Sequence, residues 1–129
     1  MHDPRYGHQK VVYHINGNGG ADGILYRDAL RNMQNHIDAV GVEALDLRAV
    51  LHGAGVGMLA LALQDLSIQT DVKRLQAQGV TFLVCAKTLA GQGIEPSADL
   101  FEICPRNIVS SGVAELTHLQ QLGYSYIKP

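Results

Sequence analysis

At 129 residues, 47% hydrophobic and 17% charged, the chain has the size of one compact domain and enough apolar residues for a core, which excludes a disordered chain. Its net charge is −2, it has no Lys/Arg cluster, and no aromatics are set in a basic surface; these exclude direct nucleic-acid binding. The longest apolar run, "GAGVGMLALAL" at 53–63, is too short to cross a bilayer core of about 30 Å as a helix, and "MHDPRYGHQK" has no apolar signal core, so the chain reads as cytoplasmic with no membrane partner.

Residues 1–9 read as a loose N-terminal segment, and "KVVYHI" at 10–15 as a buried strand running into the loop "NGNGG". That loop lacks the spacing of either phosphate-binding glycine motif, so it is a turn and no nucleotide or other cofactor is expected. Over 21–40, Leu25, Ala29, Met33, Ile37 and Val40 recur every three or four positions, the stripe of an amphipathic helix that Gly41 can stop. "EALDLRAVLHG" (43–53) reads as a second strand and 56–63 as a short buried helix. Thr70 is the expected cap of a third helix, "DVKRLQAQ", ending at Gly79. "VTFLV" (80–84) is the clearest strand, and a short helix after Cys85 ends near Gly91 or Gly93. From 96 to 108 the pattern is irregular, with a brief strand near 101–103. Ser110 or Ser111 can cap a last helix, with Glu115 in its first turn and Gly123 past its end, and "YSYIK" (124–128) closes as a strand. The alternation predicts a single α/β domain over 1–129: a mostly parallel sheet of about five strands with helices on both faces.

In such sheets the active crevice lies beyond the carboxyl ends of the strands. That rule gathers His14 and Asn16 from the first strand, His52 from the second and Cys85 from the third. Cys85 also opens a helix, where free N–H groups favour an anion and lower a thiol pKa. Such a thiolate is a nucleophile for sulfur chemistry and a metal ligand; the alternative is a small packed residue. His14 and His52 are possible auxiliaries, as base or hydrogen-bond donor, or else hydrogen-bonded turn residues; His14, one step before its strand's end, can instead face the core. Cys104 in "EICP" is read as a packed thiol rather than a resolving one. Asn35 and His36 fall on the first helix as surface or subunit-contact residues. With no C-x-x-C pair, zinc-ribbon and thioredoxin chemistry are absent.

Several stretches together are specific: "VVYHIN" and "ALRNMQNHI", then "LRAVLHGAGVGML" and "GVTFLVCAKTL", and last "SSGVAELTHLQQLGYSYIKP". Through them the chain resembles, over nearly its whole length, the DsrE/DsrF-like family of small α/β proteins. The most telling match is "FLVCAKTLAGQGI", in which a Cys follows a central strand, opens a helix and precedes a Gly. The resemblance implies a flavodoxin-like arrangement, a homo-oligomer (dimer, trimer or hexamer), Cys85 as a persulfide carrier, and sulfur donors and acceptors that are proteins or small thiols. The function expected is therefore a sulfur carrier or sulfurtransferase of intracellular sulfur transfer or sulfur oxidation. Two alternatives are a metal- or ligand-binding protein, with His14, His52 and Cys85 as an open zinc or copper site, and a regulatory assembly subunit with an inert thiol.

Overall fold

The computed structural model describes residues 2–129. Five strands form one sheet: β1 (Gln9–Ile15), β2 (Leu45–Leu51), β3 (Thr81–Cys85), β4 (Ile108–Val109) and β5 (Ser125–Ile127). Their order is β4-β3-β2-β1-β5 and every neighbouring pair is parallel. The helices are α1 (Ile24–Val40), α2 (Gly57–Leu61), α3 (Leu66–Ala77), α4 (Ala86–Gln92), α5 (Pro96–Asp99) and α6 (Gly112–Gln121). None of them is long and apolar enough to cross a membrane.

The layering follows from the strand order. From β1 to β4 the chain steps in one direction across the sheet, so right-handed crossovers place the intervening helices on one face. There Val11, Tyr13 and Ile15 of β1 pack with Leu30, Met33 and Ile37 of α1, Met58 and Leu59 of α2, and Ile68, Val72 and Leu75 of α3. Leu30 and Met33 are fully buried, each contributing about 1.5–3 kcal/mol of transfer free energy. The step from β4 back to β5 reverses direction, which puts α6 on the opposite face. That face holds the smaller cluster of Val12, Val50, Leu83, Leu116, Leu119 and Tyr124. Because α6 starts directly after β4, the neighbour of β3, its first turn arrives beside the end of β3.

Local boundaries differ from the sequence reading in four places. First, α1 begins at Ile24, because Asp22 (φ 54°) and Gly23 (φ 71°) form a tight turn ahead of it. Leu25 is consequently 55% exposed, and Tyr26 takes the inward position, its hydroxyl donating to the Ala54 carbonyl at 2.7 Å. Second, α3 is capped by Asp65, not Thr70; Asp65 accepts from the N–H groups of Ser67 and Ile68 while the Thr70 hydroxyl donates back to the Leu66 carbonyl. Third, 101–103 is no strand: the Phe101 N–H donates to the Leu59 carbonyl and its ring is buried, while the fourth strand comes later at Ile108–Val109. Fourth, Gln9 belongs to β1, and the preceding residues include a turn at Pro4–Tyr6 tied to α1 by the Asp3 N–H on the Ala39 carbonyl. The last helix is capped by Ser111, whose hydroxyl accepts from the Ala114 N–H, with Glu115 in the first turn.

Candidate functional site

Val50 pairs with Leu83 and Leu51 with Val84, so one step on His52 and Cys85 end adjacent strands on the same face, about 4.8 Å apart between strands. His14 pairs with Val50 and so shares that face. This is the face of α6, whose first residue, Gly112, closes over both. A Cβ at Gly112 would lie 2.9 Å from the Cβ of His52, so only a glycine lets the helix start this close.

Cys85 is the last residue of β3 and the N-cap of α4. Burial pushes its thiol up, but N–H donors of Gly112, Thr88 and Lys87 and the Thr88 hydroxyl outweigh that, and the net effect is a pKa below the ordinary thiol value. Two helix starts, α4 and α6, thus aim their free N–H groups at one sulfur. The Thr88 hydroxyl also accepts from the Gly53 N–H at 2.9 Å, which ties the end of β2 to the first turn of α4.

His14 and His52 stack with ring centroids 4.8 Å apart, and their Nε2 atoms are 2.6 Å apart. One nitrogen must donate and the other accept, so the pair cannot be doubly protonated in this arrangement. The other His14 nitrogen bonds the Tyr126 hydroxyl, from the middle of β5. His14 is held below the usual histidine range by burial, by His52 and by the Lys128 ammonium; His52 is lowered by burial and by Lys128. The three form a chain, Tyr126–His14–His52, ending next to the cysteine.

The strand-end rule therefore brings His14, His52 and Cys85 to one edge and one face. His14 is half-buried there and does not enter the main core. Asn16 sits past the end of β1, exposed, and lines a cavity with His14. No group of three His, Cys, Asp or Glu among the described residues is placed to hold a metal. Cys104 is exposed rather than packed, and it lies with Thr81 and Phe82 near the start of β3. Phe82 is three residues before Cys85, about 10 Å along the strand, which separates the two thiols. His36 is half-buried, with Tyr13 and Gln9 as partners at 2.9 and 2.8 Å, and so is part of the packing of α1 on β1.

Thr88, Gly112, Tyr126 and Lys128 complete the site and were not singled out from the sequence. Thr88 had a local signal, since the residue three past a helix-opening Cys falls in the same first turn. The other three meet the site only through the crossing of α6 and the pairing of β5.

A model of the DsrE/DsrF-like family matches residues 10–129. Among solved structures, the protein of unknown function MTH1491 from Methanobacterium thermoautotrophicum is 30% identical, with a TM-score of 0.71 over 94% of this chain and 99% of that one. The ychN protein from E. coli, 24% identical, has the same fold, with a TM-score of 0.62 over 93% of this chain and 97% of that one. None of the curated proteins compared with the chain matches it.

Proposed function

Because the chain belongs to the DsrE/DsrF-like family, we propose that it is a sulfur carrier in which Cys85 holds transferable sulfur as a persulfide, in intracellular sulfur transfer or sulfur oxidation. The observation that carries this reading is the Cys85 sulfur itself: its pKa is lowered although it is buried, because three N–H groups and one hydroxyl converge on it. Donors that hold a thiolate also hold the terminal anion of a persulfide, so the same cradle suits loaded and unloaded forms.

The step is a thiolate displacement. Cys85–S⁻ attacks the outer sulfur of a donor R–S–SH. The new Cys85–S bond forms as the donor S–S bond breaks, and the electron pair leaves as R–S⁻. The product is Cys85–S–SH, and the sulfane sulfur changes hands without an external oxidant. Release to an acceptor thiolate is the same step in reverse. His52, at the adjacent strand end, is the nearest candidate to protonate the departing sulfur, with His14 and Tyr126 behind it to resupply the proton. Sulfur donors and acceptors, as proteins or small thiols, and a homo-oligomeric assembly belong to this proposal, as does a reducing cytoplasm, where free thiols persist.

The test is intact mass after incubation with polysulfide or a thiosulfonate. The expected result is a gain of one sulfur atom that reductant reverses and that Cys85→Ala lacks. Loading that survives in Cys85→Ala, or no loading of a folded wild type whose Cys85 alkylates, rejects the reading. His52→Asn is expected to load about tenfold more slowly, less than a general acid usually contributes, because thiolates leave well unprotonated.

A further inference from the structure

We propose that Asn16 is a spontaneous modification site: the fold leaves its side chain free to lose ammonia and become an aspartyl or isoaspartyl carboxylate beside His14. This chemistry is independent of Cys85. The stretch "NGNGG" holds two asparagines, Asn16 and Asn18, each followed by glycine. Asparagine amides are chemically labile, and a glycine successor eases ring closure because no Cβ obstructs it. The other asparagines, Asn32, Asn35 and Asn107, precede the bulky Met33, His36 and Ile108. By sequence Asn16 and Asn18 are therefore equivalent, and it is the fold that separates them.

Asn18 is held on both sides. Its Oδ1 accepts from the Gly20 N–H at 3.0 Å. Gly19 is buried, its carbonyl accepts from the Leu25 N–H at 2.7 Å, and a Cβ on it would lie 2.5 Å from the Tyr26 ring. That ring is fixed in turn by its hydroxyl on the Ala54 carbonyl. The peptide after Asn18 cannot turn without lifting off the ring. Asn16 has the opposite surroundings. The chain is anchored as far as its Cα: the Ile15 carbonyl accepts from the His52 N–H at 3.2 Å, and a Cβ on Gly55 would lie 3.0 Å from the Asn16 Cα. Beyond that point the anchors stop. Asn16 and Gly17 are both exposed, and a Cβ on Gly17 would meet nothing within 4 Å. Among the described residues, no group accepts from the Gly17 N–H or pairs with the Asn16 carboxamide. The two bonds that ring closure must turn, Cα–C and Cα–Cβ of Asn16, lie just past the last anchor.

In the reaction hydroxide takes the Gly17 N–H proton, and the nitrogen attacks Cγ of Asn16. The new C–N bond forms, the Cγ–Nδ2 bond breaks, and the amide leaves as ammonia with a proton from water. A second water opens the succinimide at either carbonyl, giving an aspartyl or an isoaspartyl residue. The sum is amide and water to carboxylic acid and ammonia, with no oxidation or reduction. Either product is ionised at neutral pH and adds one negative charge to the net −2. The carboxylate enters a cavity shared with His14, Asp28 and Lys128. Asp28 already pairs with Arg31, whereas Lys128 makes none of the salt bridges among the described residues and is the available partner. His14, bonded to Tyr126 and His52, is held down in part by Lys128, so a carboxylate on that ammonium relieves it.

Peptide mapping by mass spectrometry, on native protein at mildly alkaline pH and on the same protein in urea, reads both asparagines at once. In urea the two are expected to deamidate at similar rates, whereas in the native protein Asn16 should lead Asn18 by about tenfold or more. The native rate at Asn16 should rise with pH and fall several-fold in Gly17→Ala, a change for which the structure has open space. Equal rates in the native protein, a native Asn16 that stays intact while the chain in urea deamidates, or an unchanged rate in Gly17→Ala overturns the proposal. The link to the site is read in Asn16→Asp, where His14 is expected to titrate at higher pH by NMR. An unchanged His14 midpoint refutes that link.

Discussion

At Cys85 the groups that favour the anion are backbone and hydroxyl dipoles, with no cation among them. Salt screens exposed charges over about 8–10 Å but does little to a hydrogen bond inside a packed site. Alkylation of Cys85 by neutral iodoacetamide is therefore expected to be nearly independent of ionic strength, which a rate series in added salt checks. The apparent pKa from the pH dependence of the same rate should lie below the ordinary thiol value. Thr88→Val removes one donor from the sulfur and the acceptor for the Gly53 N–H; the apparent pKa should rise and the neutral-pH rate fall several-fold. Gly112→Ala acts on the same sulfur by another route. The new methyl meets the Cβ of His52 at 2.9 Å, the first turn of α6 is pushed off, and its N–H leaves the sulfur. The same slowing, with the fold retained, is the expected result.

The helices that build the site depend on short-range chemistry that can be read and, in part, misread. Ser111→Ala removes the cap of α6 at a cost of about 1 kcal/mol. For a chain of this size that lowers Tm by about 3–5 °C, measurable by circular dichroism. Gly55→Ala should be far worse, because its Cβ would sit 2.0 Å from the Ile15 carbonyl oxygen and no flexible side chain can give way. A loss of about 3 kcal/mol or more in urea unfolding is expected. Long periodic elements such as α1 and the β-branched run of β3 were legible because their burial is written into local spacing. Asp65 was passed over for Thr70 because both residues are good caps and the apolar stripe behind them is weak. A two-residue strand has no period, so β4 could not be found, and the 101–103 segment drew the reading although the role of Phe101 is to plug the core. For the site, three strand ends were enough to name Cys85, His52 and His14. The groups that set their chemistry come from a crossover and an edge pairing, which no local pattern encodes.

At the scale of the whole molecule, three histidines are held below their ordinary range: His14 and His36 chiefly by burial, and His52 by burial and by Lys128. In the unfolded chain they take up protons near pH 6.5, while in the folded one they do so only at lower pH. The unfolded state therefore binds more protons between those values. Stability is full above about pH 6.5, falls as pH drops through it, and levels off once the folded histidines are protonated as well. Urea midpoints from pH 8 down to pH 5 should show this fall, and a His14→Asn, His52→Asn double variant should flatten part of it. Asp65, lowered chiefly by its bond from Ser67, adds its own loss only below about pH 4, outside that window.

The pairing of β1 with β5, Val11 beside Ser125, joins an early strand to the last strand of the chain. During synthesis β1, β2 and β3 emerge and can assemble well before β5 exists. Until then β1 is an open edge, and His14 has neither Tyr126 to bond nor Lys128 beside it. Contacts of such long sequence separation form slowly, because a large loop must close before they contribute. The thiol cradle, made by α4 and α6, is complete one element earlier than the histidine chain. A nascent chain thus holds the groups that surround Cys85 before it holds Tyr126 and Lys128, and the arrival of the final strand completes the surroundings of His14.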